Sequence, residues 1–272
     1  MVLLDRFIEE QLIRGRAYFS RQEVEAKLDV RRSTLSAAMT RLVRRGALAI
    51  PRHGFYLILR PEDQVSGAPD PAQWIDPLMR HQNLDYRISM LRAAAIHGSS
   101  HQAAMVFQVV APRQLRDVEL GRHRLEFLYQ APKAFAAANR PENLERLKTP
   151  AGFAKVAGVE VTLLDCIRYF HEAAGISGVA QIAKDIGGKA KPGALAKAAA
   201  GYENSSVRRL GYLLQRTGHV RQAAALAPLA ARARTPVPLN PSIRPLIASA
   251  AEVHETDATW KIILNESIEV DS

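Results

Sequence analysis

Within about sixty residues at its start the chain places three short segments of helical period and then two apolar runs of strand character. Such close spacing leaves room for little but a small three-helix unit closed by a hairpin. Leu4, Phe7, Ile8 and Leu12 recur at helical spacing, and Gly15 suits the left-handed turn that ends a helix. Ser20 and Glu23 have capping-box spacing, in which each side chain satisfies a free amide at a helix start, with Val24 and Leu28 as the buried positions. A third helix is expected from an N-cap at Ser33, with Leu35, Met39, Leu42 and Val43 facing inward and Gly46 as the stop. Leu48–Ile50, the turn residues 51–54 and Phe55–Leu59 then read as a β-hairpin.

The third helix has a second face, Ser33, Ser36, Ala37, Thr40, Arg41 and Arg44, with short groups near its start and arginines toward its end. A helix entering the major groove needs small side chains where its backbone nears the bases, and forked guanidiniums where guanine edges or phosphates are reached. Residues 31–52 hold six arginines (31, 32, 41, 44, 45 and 52) and no acid. A solvated basic helix is the plainer reading, and the hairpin argues against it. A hairpin after such a helix is the wing of a winged helix-turn-helix, and its tip carries Arg52, read as a DNA contact, and His53, which suits either a contact or a solvated turn. The expected DNA-binding set is therefore Arg31, Arg32, Ser33, Thr34, Ser36, Thr40, Arg41, Arg44, Arg45, Arg52 and His53, on a domain spanning 1–60.

Residues 61–72, rich in Pro, Gly and acids, read as a linker, and 73–272 as a larger mixed α+β domain. There a helix is expected from Trp74 to Gly98, strands over Met105–Ala111 and Leu125–Gln130, and a helix starting near Thr162 with Asp165 as a first-turn acid and Cys166 buried. Residues 204–251 carry seven arginines (208, 209, 216, 221, 232, 234 and 244) and no acid. Arg208 and Arg209 with Leu210, Leu213 and Leu214 read as a basic amphipathic helix, and Lys189 and Lys191 stand in a Gly-rich loop. Lys189, Lys191, Arg208, Arg209 and Arg216 thus form either a second nucleic-acid or antitoxicity surface or a solvated helix face. Acids from Glu252 to Asp271 surround Trp260–Leu264, an apolar run suited to a closing strand.

The formal net charge of +10 suits a polyanionic partner, and equally ordinary basic solubility, so placement decides. With Cys166 the only cysteine, no intrachain disulfide and no cysteine-based zinc site can form. A reducing, cytoplasmic setting fits, and neither a signal peptide nor a membrane-spanning apolar run is read. No phosphate-binding loop of the GxxxxGK[ST] form occurs, and His97 and His101 are separated by Gly-Ser-Ser, which breaks any helix that would pair them on a metal. His171 and Glu172 have no assigned nucleophile beside them and read as surface residues. The expectation is a binding protein without catalysis, cofactor or metal, although a winged-helix enzyme and a ligand-responsive transcription factor remain open.

The segment Ala93–Gly98, the block Gly158–Asp165, the stretch Val207–Leu214 and the ending Trp260–Asp271, together with the N-terminal winged helix, resemble the AbiEi antitoxin of the AbiE abortive-infection systems, bacterial type IV toxin–antitoxin pairs. The last three segments are the more specific, and residues 220–258 match loosely. The resemblance implies an N-terminal domain that represses its own operon by binding inverted repeats in double-stranded promoter DNA. It implies a C-terminal domain that counters a nucleotidyltransferase-type toxin, generally without a stable complex, so no toxin interface is assigned.

Overall fold

The computed structural model describes residues 2–63, 65–99, 106–243 and 255–270. His101, Met105, Arg244, Glu252 and Asp271 lie outside the described residues. In chain order the elements begin with α1 (Val2–Ile13), β1 (Tyr18–Ser20), α2 (Arg21–Lys27), α3 (Arg32–Arg44), β2 (Leu48–Arg52), β3 (Phe55–Ile58), α4 (Ile75–His81) and β4 (Arg87–Ile88). They continue with α5 (Met90–Ile96), β5 (Val106–Ala111), β6 (Val118–Leu120), β7 (His123–Tyr129), α6 (Pro132–Ala138), β8 (Leu144–Thr149), β9 (Gly152–Ala157), α7 (Val159–Arg168) and α8 (Gly175–Ile186). The last are α9 (Pro192–Ala199), α10 (Asn204–Arg216), α11 (Val220–Ala230), β10 (Val237–Pro238), β11 (Thr256–Asp257) and β12 (Ile262–Ile263). The fold among the described residues is mixed α+β, with eleven α-helices and three sheets, ordered β1-β3-β2, β6-β7-β5-β4-β9-β8 and β10-β12-β11.

Two compact units divide the chain: Met1–Arg87 with Met105–Tyr129 and Arg146–Lys155, and Ile88–Ala104 with Gln130–Glu145 and Val156–Ser272. In the first unit, Leu4, Phe7, Phe19, Val24, Leu35, Ala38, Met39, Leu48, Tyr56 and Ile58 form one core, with Ile8, Leu12, Leu28, Leu42 and Val43 packed against it. These are mostly the positions that period alone marks as inward, because amphipathic helices stabilise by burying that stripe. Ser20 caps α2 as the spacing predicts: its hydroxyl accepts from the Glu23 amide and the Glu23 carboxylate accepts from the Ser20 amide. The third helix starts earlier than expected, at Arg32 after an N-cap at Arg31 that makes no side-chain bond, so Ser33 lies inside the first turn.

Residues 60–72 fold onto the body of that unit. Asp63 is 5% exposed and accepts from the Arg60 guanidinium at 3.0 Å, Ala68 is buried, and Trp74 Nε1 donates to the Pro69 carbonyl at 2.9 Å. Gly67 (φ 76°) approaches Gly121 (φ 56°), the turn residue between β6 and β7, so closely that a Cβ on Gly67 would stand 2.6 Å from the Gly121 Cα. The Gly and Pro content that reads as a linker here permits backbone-to-backbone packing.

The helix expected from Trp74 to Gly98 is instead α4, β4 and α5. Asn83 turns the chain through the left-handed region (φ 52°), a conformation its short polar side chain tolerates, and Met90 (φ 58°) opens α5. The apolar pattern persists across the break because Tyr86 and Ile88 are buried there. In the second unit α7 packs against α5, α8, α9 and α10, and α10 against α11. Residues 206–214 of α10 are buried without interruption. Gly211 makes that packing possible: a Cβ there would fall 2.0 Å from the Trp260 ring, whose Nε1 donates to Gln215 Oε1 at 2.8 Å. The closing strand is shorter than expected, with only Ile262–Ile263 pairing, while Trp260 serves as a plug at 1% exposure.

Asp165 is not a first-turn acid. It lies toward the C-terminal end of α7, fully buried, and accepts from Ser89 Oγ at 2.6 Å and Tyr202 Oη at 2.7 Å. Cys166 beside it is buried, and burial together with the Asp165 charge pushes its thiol well above the usual range.

Candidate nucleic-acid interface

The β2–β3 hairpin follows α3 directly, with Leu48 and Ala49 pairing with Ile58 and Leu57, and β1, from before α2, completes the sheet as Tyr18–Ser20 pair with Leu57–Phe55 on the other side of β3. Leu35, Ala38 and Met39 anchor the inner face of α3, which leaves Arg31, Arg32, Ser33, Thr34, Thr40, Arg41, Arg44 and Arg45 exposed on its outer side and at its ends. Arg32 lies 3.9 Å from Glu25 with 84% of its side chain exposed, a pair of negligible worth in water. Among the described residues, Arg31, Arg41, Arg44 and Arg45 have no carboxylate partner within ion-pair distance, although Asp5 lines a small pocket of about 50 Å³ together with Arg41 and Arg45.

The hydroxyls on this face are less available than spacing suggests. Ser36 is half-buried, and its Oγ accepts from an Arg21 guanidinium nitrogen at 2.9 Å, while Arg21 Nε donates to Glu25 at 2.8 Å. Thr40 Oγ1 donates to the Ser36 carbonyl at 2.9 Å, the back-bond one helical turn away that threonine commonly makes. Arg21 is absent from the set of contacts expected from sequence. Its i,i+4 spacing to Glu25 was the available signal, but the reach to Ser36, 15 residues on, was not.

The hairpin tip splits its two candidates. Arg52 turns back onto the carbonyls of Arg116 and Asp117 and stacks 5.4 Å over the Phe127 ring, half-buried. Burial lowers its pKa, opposed by the Asp117 charge and reinforced by Arg116. His53 is exposed, and its carbonyl accepts from His81 Nε2 at 3.1 Å.

The late cations divide in the same way. Lys189, Lys191 and Arg216 are exposed, with Lys189 Nζ donating to the His97 carbonyl. Arg208 and Arg209 are only 4% and 8% exposed. Arg208 donates to the carbonyls of Thr235 (2.9 Å) and Lys261 (3.2 Å), and Arg209 to that of Pro238 (3.0 Å). A helix expected to show its arginines to solvent turns them inward, because backbone carbonyls of the segments beside it supply acceptors. Burial lowers both guanidinium pKa values.

Among the described residues no group of three or more His, Cys, Asp or Glu side chains could hold a metal ion, and no helix is long and apolar enough to cross a membrane. His171 and Glu172 are exposed, and His171 Nε2 stands 2.9 Å from the Ser242 hydroxyl.

No curated protein matches the chain by sequence. Its fold is similar to the crystal structure of the RV2827C protein from Mycobacterium tuberculosis, with a TM-score of 0.67 and 17% identity over 97% of this chain and 91% of that one; at such identity the likeness establishes the fold alone. Residues 88–216 match the family model of the AbiEi antitoxin C-terminal domain, a likeness that supports an antitoxin role in a toxin–antitoxin system.

Proposed function

We propose that the protein is the antitoxin of a type IV, abortive-infection toxin–antitoxin pair and represses its own operon. In this reading residues 1–60 act as a winged helix-turn-helix on inverted repeats in double-stranded promoter DNA, 61–72 connect, and 73–272 counter a nucleotidyltransferase-type toxin in the cytoplasm, without catalysis or cofactor. The observation that carries the DNA-binding half is the exposed arginine face of α3, anchored from behind by Leu35 and Met39 and followed at once by the β2–β3 hairpin. Arg31, Arg32, Arg41, Arg44 and Arg45 serve phosphates and guanine edges, Ser33, Thr34 and Thr40 line the approach, and Ser36 acts through Arg21. Arg52 and His53 position the hairpin tip, Arg52 chiefly by holding it to the 116–117 carbonyls. Lys189, Lys191 and Arg216 supply the exposed cations of the second surface, while Arg208 and Arg209 are buried on backbone carbonyls.

Fluorescence anisotropy with DNA from upstream of the operon tests the first half: log affinity falls with log salt by roughly 0.9 per phosphate contact. The Arg41→Ala/Arg44→Ala variant binds more than about tenfold more weakly, each lost contact being charge-assisted. Undiminished binding by that variant refutes the assignment. Co-expression with the operon's toxin tests the second half, since survival of the host requires this protein if it is an antitoxin.

A second reading, a ligand-responsive winged-helix transcription factor with no antitoxin role, draws on a cavity of about 540 Å³ in the second unit, where Leu91, Ala94, Ile182 and Ile268 supply an apolar lining and Ser99 and Gln181 polar groups. Failure to rescue growth, with operator binding intact, favours this reading.

A further inference from the structure

The buried arginine of α10 opens onto a cleft of about 510 Å³ in the second unit, which also receives Tyr202, Asn204, Arg232, Arg234 and Thr235. Three arginines, Arg208, Arg232 and Arg234, are among the residues lining this concavity and, among its described lining residues, no acid is. Arg232 and Arg234 are exposed beyond the end of α11, on the segment whose Ala233 carbonyl accepts from Lys261 Nζ, so a fourth cation stands against the same stretch of chain. Lys261 itself has a positive φ of 50°, a conformation that a long side chain adopts only when its surroundings impose it. Glu203, the acid next to this cleft in sequence, is held by the Arg168 guanidinium. Asp165, beneath Tyr202, is fully buried and receives the tyrosine hydroxyl.

Arg208 makes the cleft more than a basic patch. It is buried to all but 4%, it donates to two neutral carbonyls, and among the described residues its Nε has no hydrogen-bond partner. Arg209, its neighbour, is likewise buried on a carbonyl. A buried cation ordinarily requires an opposite charge to offset its desolvation. Two adjacent ones without a carboxylate among the described residues leave a positive potential that an anion would neutralise. The cleft also meets the first turn of α10, a helix of 13 residues whose N-cap makes no side-chain bond, so the positive end of its dipole adds to the field.

We propose that this cleft binds a small ligand bearing a phosphate or pyrophosphate group, received by Arg208, Arg232 and Arg234. Several oxygens on one phosphorus match forked guanidiniums converging from different elements. The volume lies within the range of pockets that enclose small molecules, and a buried Arg208 at its wall suits a ligand that enters rather than a duplex that lies across.

Isothermal titration of the full chain with inorganic pyrophosphate and, separately, with ATP tests the site at physiological ionic strength. Both bind the parent. Arg232→Ala/Arg234→Ala, at two exposed positions whose loss leaves the thermal unfolding midpoint unchanged, weakens both by about tenfold or more. Arg41→Ala/Arg44→Ala, on the proposed DNA face, leaves both affinities as they were, so failure here is separable from failure of the operator-binding proposal. Absence of binding at millimolar pyrophosphate and ATP, or affinities untouched by the Arg232/Arg234 change, overturns the proposal. So does a result in which only a single-stranded oligonucleotide binds in a manner sensitive to that change, which would make the cleft part of a nucleic-acid surface.

Discussion

Asp165 shows how much one side chain can depend on partners distant in sequence. Its carboxylate, sealed from water, accepts from Ser89 76 residues before it and from Tyr202 37 residues after it, joining the start of α5, the body of α7 and the approach to α10. Tyr202→Phe keeps the ring and removes one donor, so the buried acceptor loses a charge-assisted bond and urea unfolding shifts by about 1.5–3 kcal/mol. A midpoint equal to the parent's would show that the bond contributes nothing. Cys166 gives an independent readout of the same core: with its thiol fully buried and its pKa raised, it reacts with a disulfide reagent only at the rate of unfolding, and immediate labelling of the native protein would contradict this packing. Neither contact could be read from spacing, because an acid three residues after a threonine at a helix start looks like a response to the local dipole. Arg208 and Arg209 were illegible for a related reason: the carbonyls that hold them lie 27 and 29 residues away, and Lys261's 53.

At the level of elements, what the sequence makes legible is what is settled locally. The α2 cap is closed by residues three apart, the α3 core face by residues spaced at one turn, and the hairpin by two apolar runs around Pro51–Gly54. Ser20→Ala removes the cap and lowers stability by about 1 kcal/mol in thermal or urea unfolding. The cap also has a pH signature. Burial tends to raise the Glu23 pKa, yet the hydrogen bonds from Arg16 and the Ser20 amide outweigh it and hold the carboxyl below its ordinary value. A carboxylate depressed in the folded state stabilises at neutral pH, and that contribution is lost as pH falls through the ordinary glutamate range to the folded value. Glu23→Gln therefore flattens the acid limb of the unfolding midpoint against pH, and an unchanged limb would place the acid sensitivity elsewhere. Where an element depends on distant packing, the pattern misleads. Period alone carries one helix from Trp74 to Gly98, because a short buried strand preserves the run of apolar residues that a helix face would show, and only the left-handed Asn83 and Met90 reveal the break.

Over the whole molecule, charge is the property that composition announces and only structure can locate. Of the cations behind the formal +10, some are held by neighbours: Arg208 and Arg209, buried, on carbonyls, and Arg52 and Arg60, half-buried, on the 116–117 carbonyls and Asp63. Arg31, Arg32, Arg41, Arg44 and Arg45, on and beside α3, stay exposed, and this is the face proposed to meet DNA. Net positive charge speeds encounter with a polyanion at any face, whereas bound-state contacts are counted by the salt slope, and the two can be separated. Stopped-flow association with promoter DNA slows as ionic strength rises for the parent and for every variant that keeps most of the charge. The slope of log affinity against log salt, by contrast, drops by about 1.8 for Arg41→Ala/Arg44→Ala, two phosphate contacts at roughly 0.9 each. It stays at the parent value for Arg232→Ala/Arg234→Ala, although both variants lose the same two charges. Equal reductions in the two would mean that DNA reads the overall charge of the protein rather than the face of α3, and the assignment of that helix to the major groove would fall.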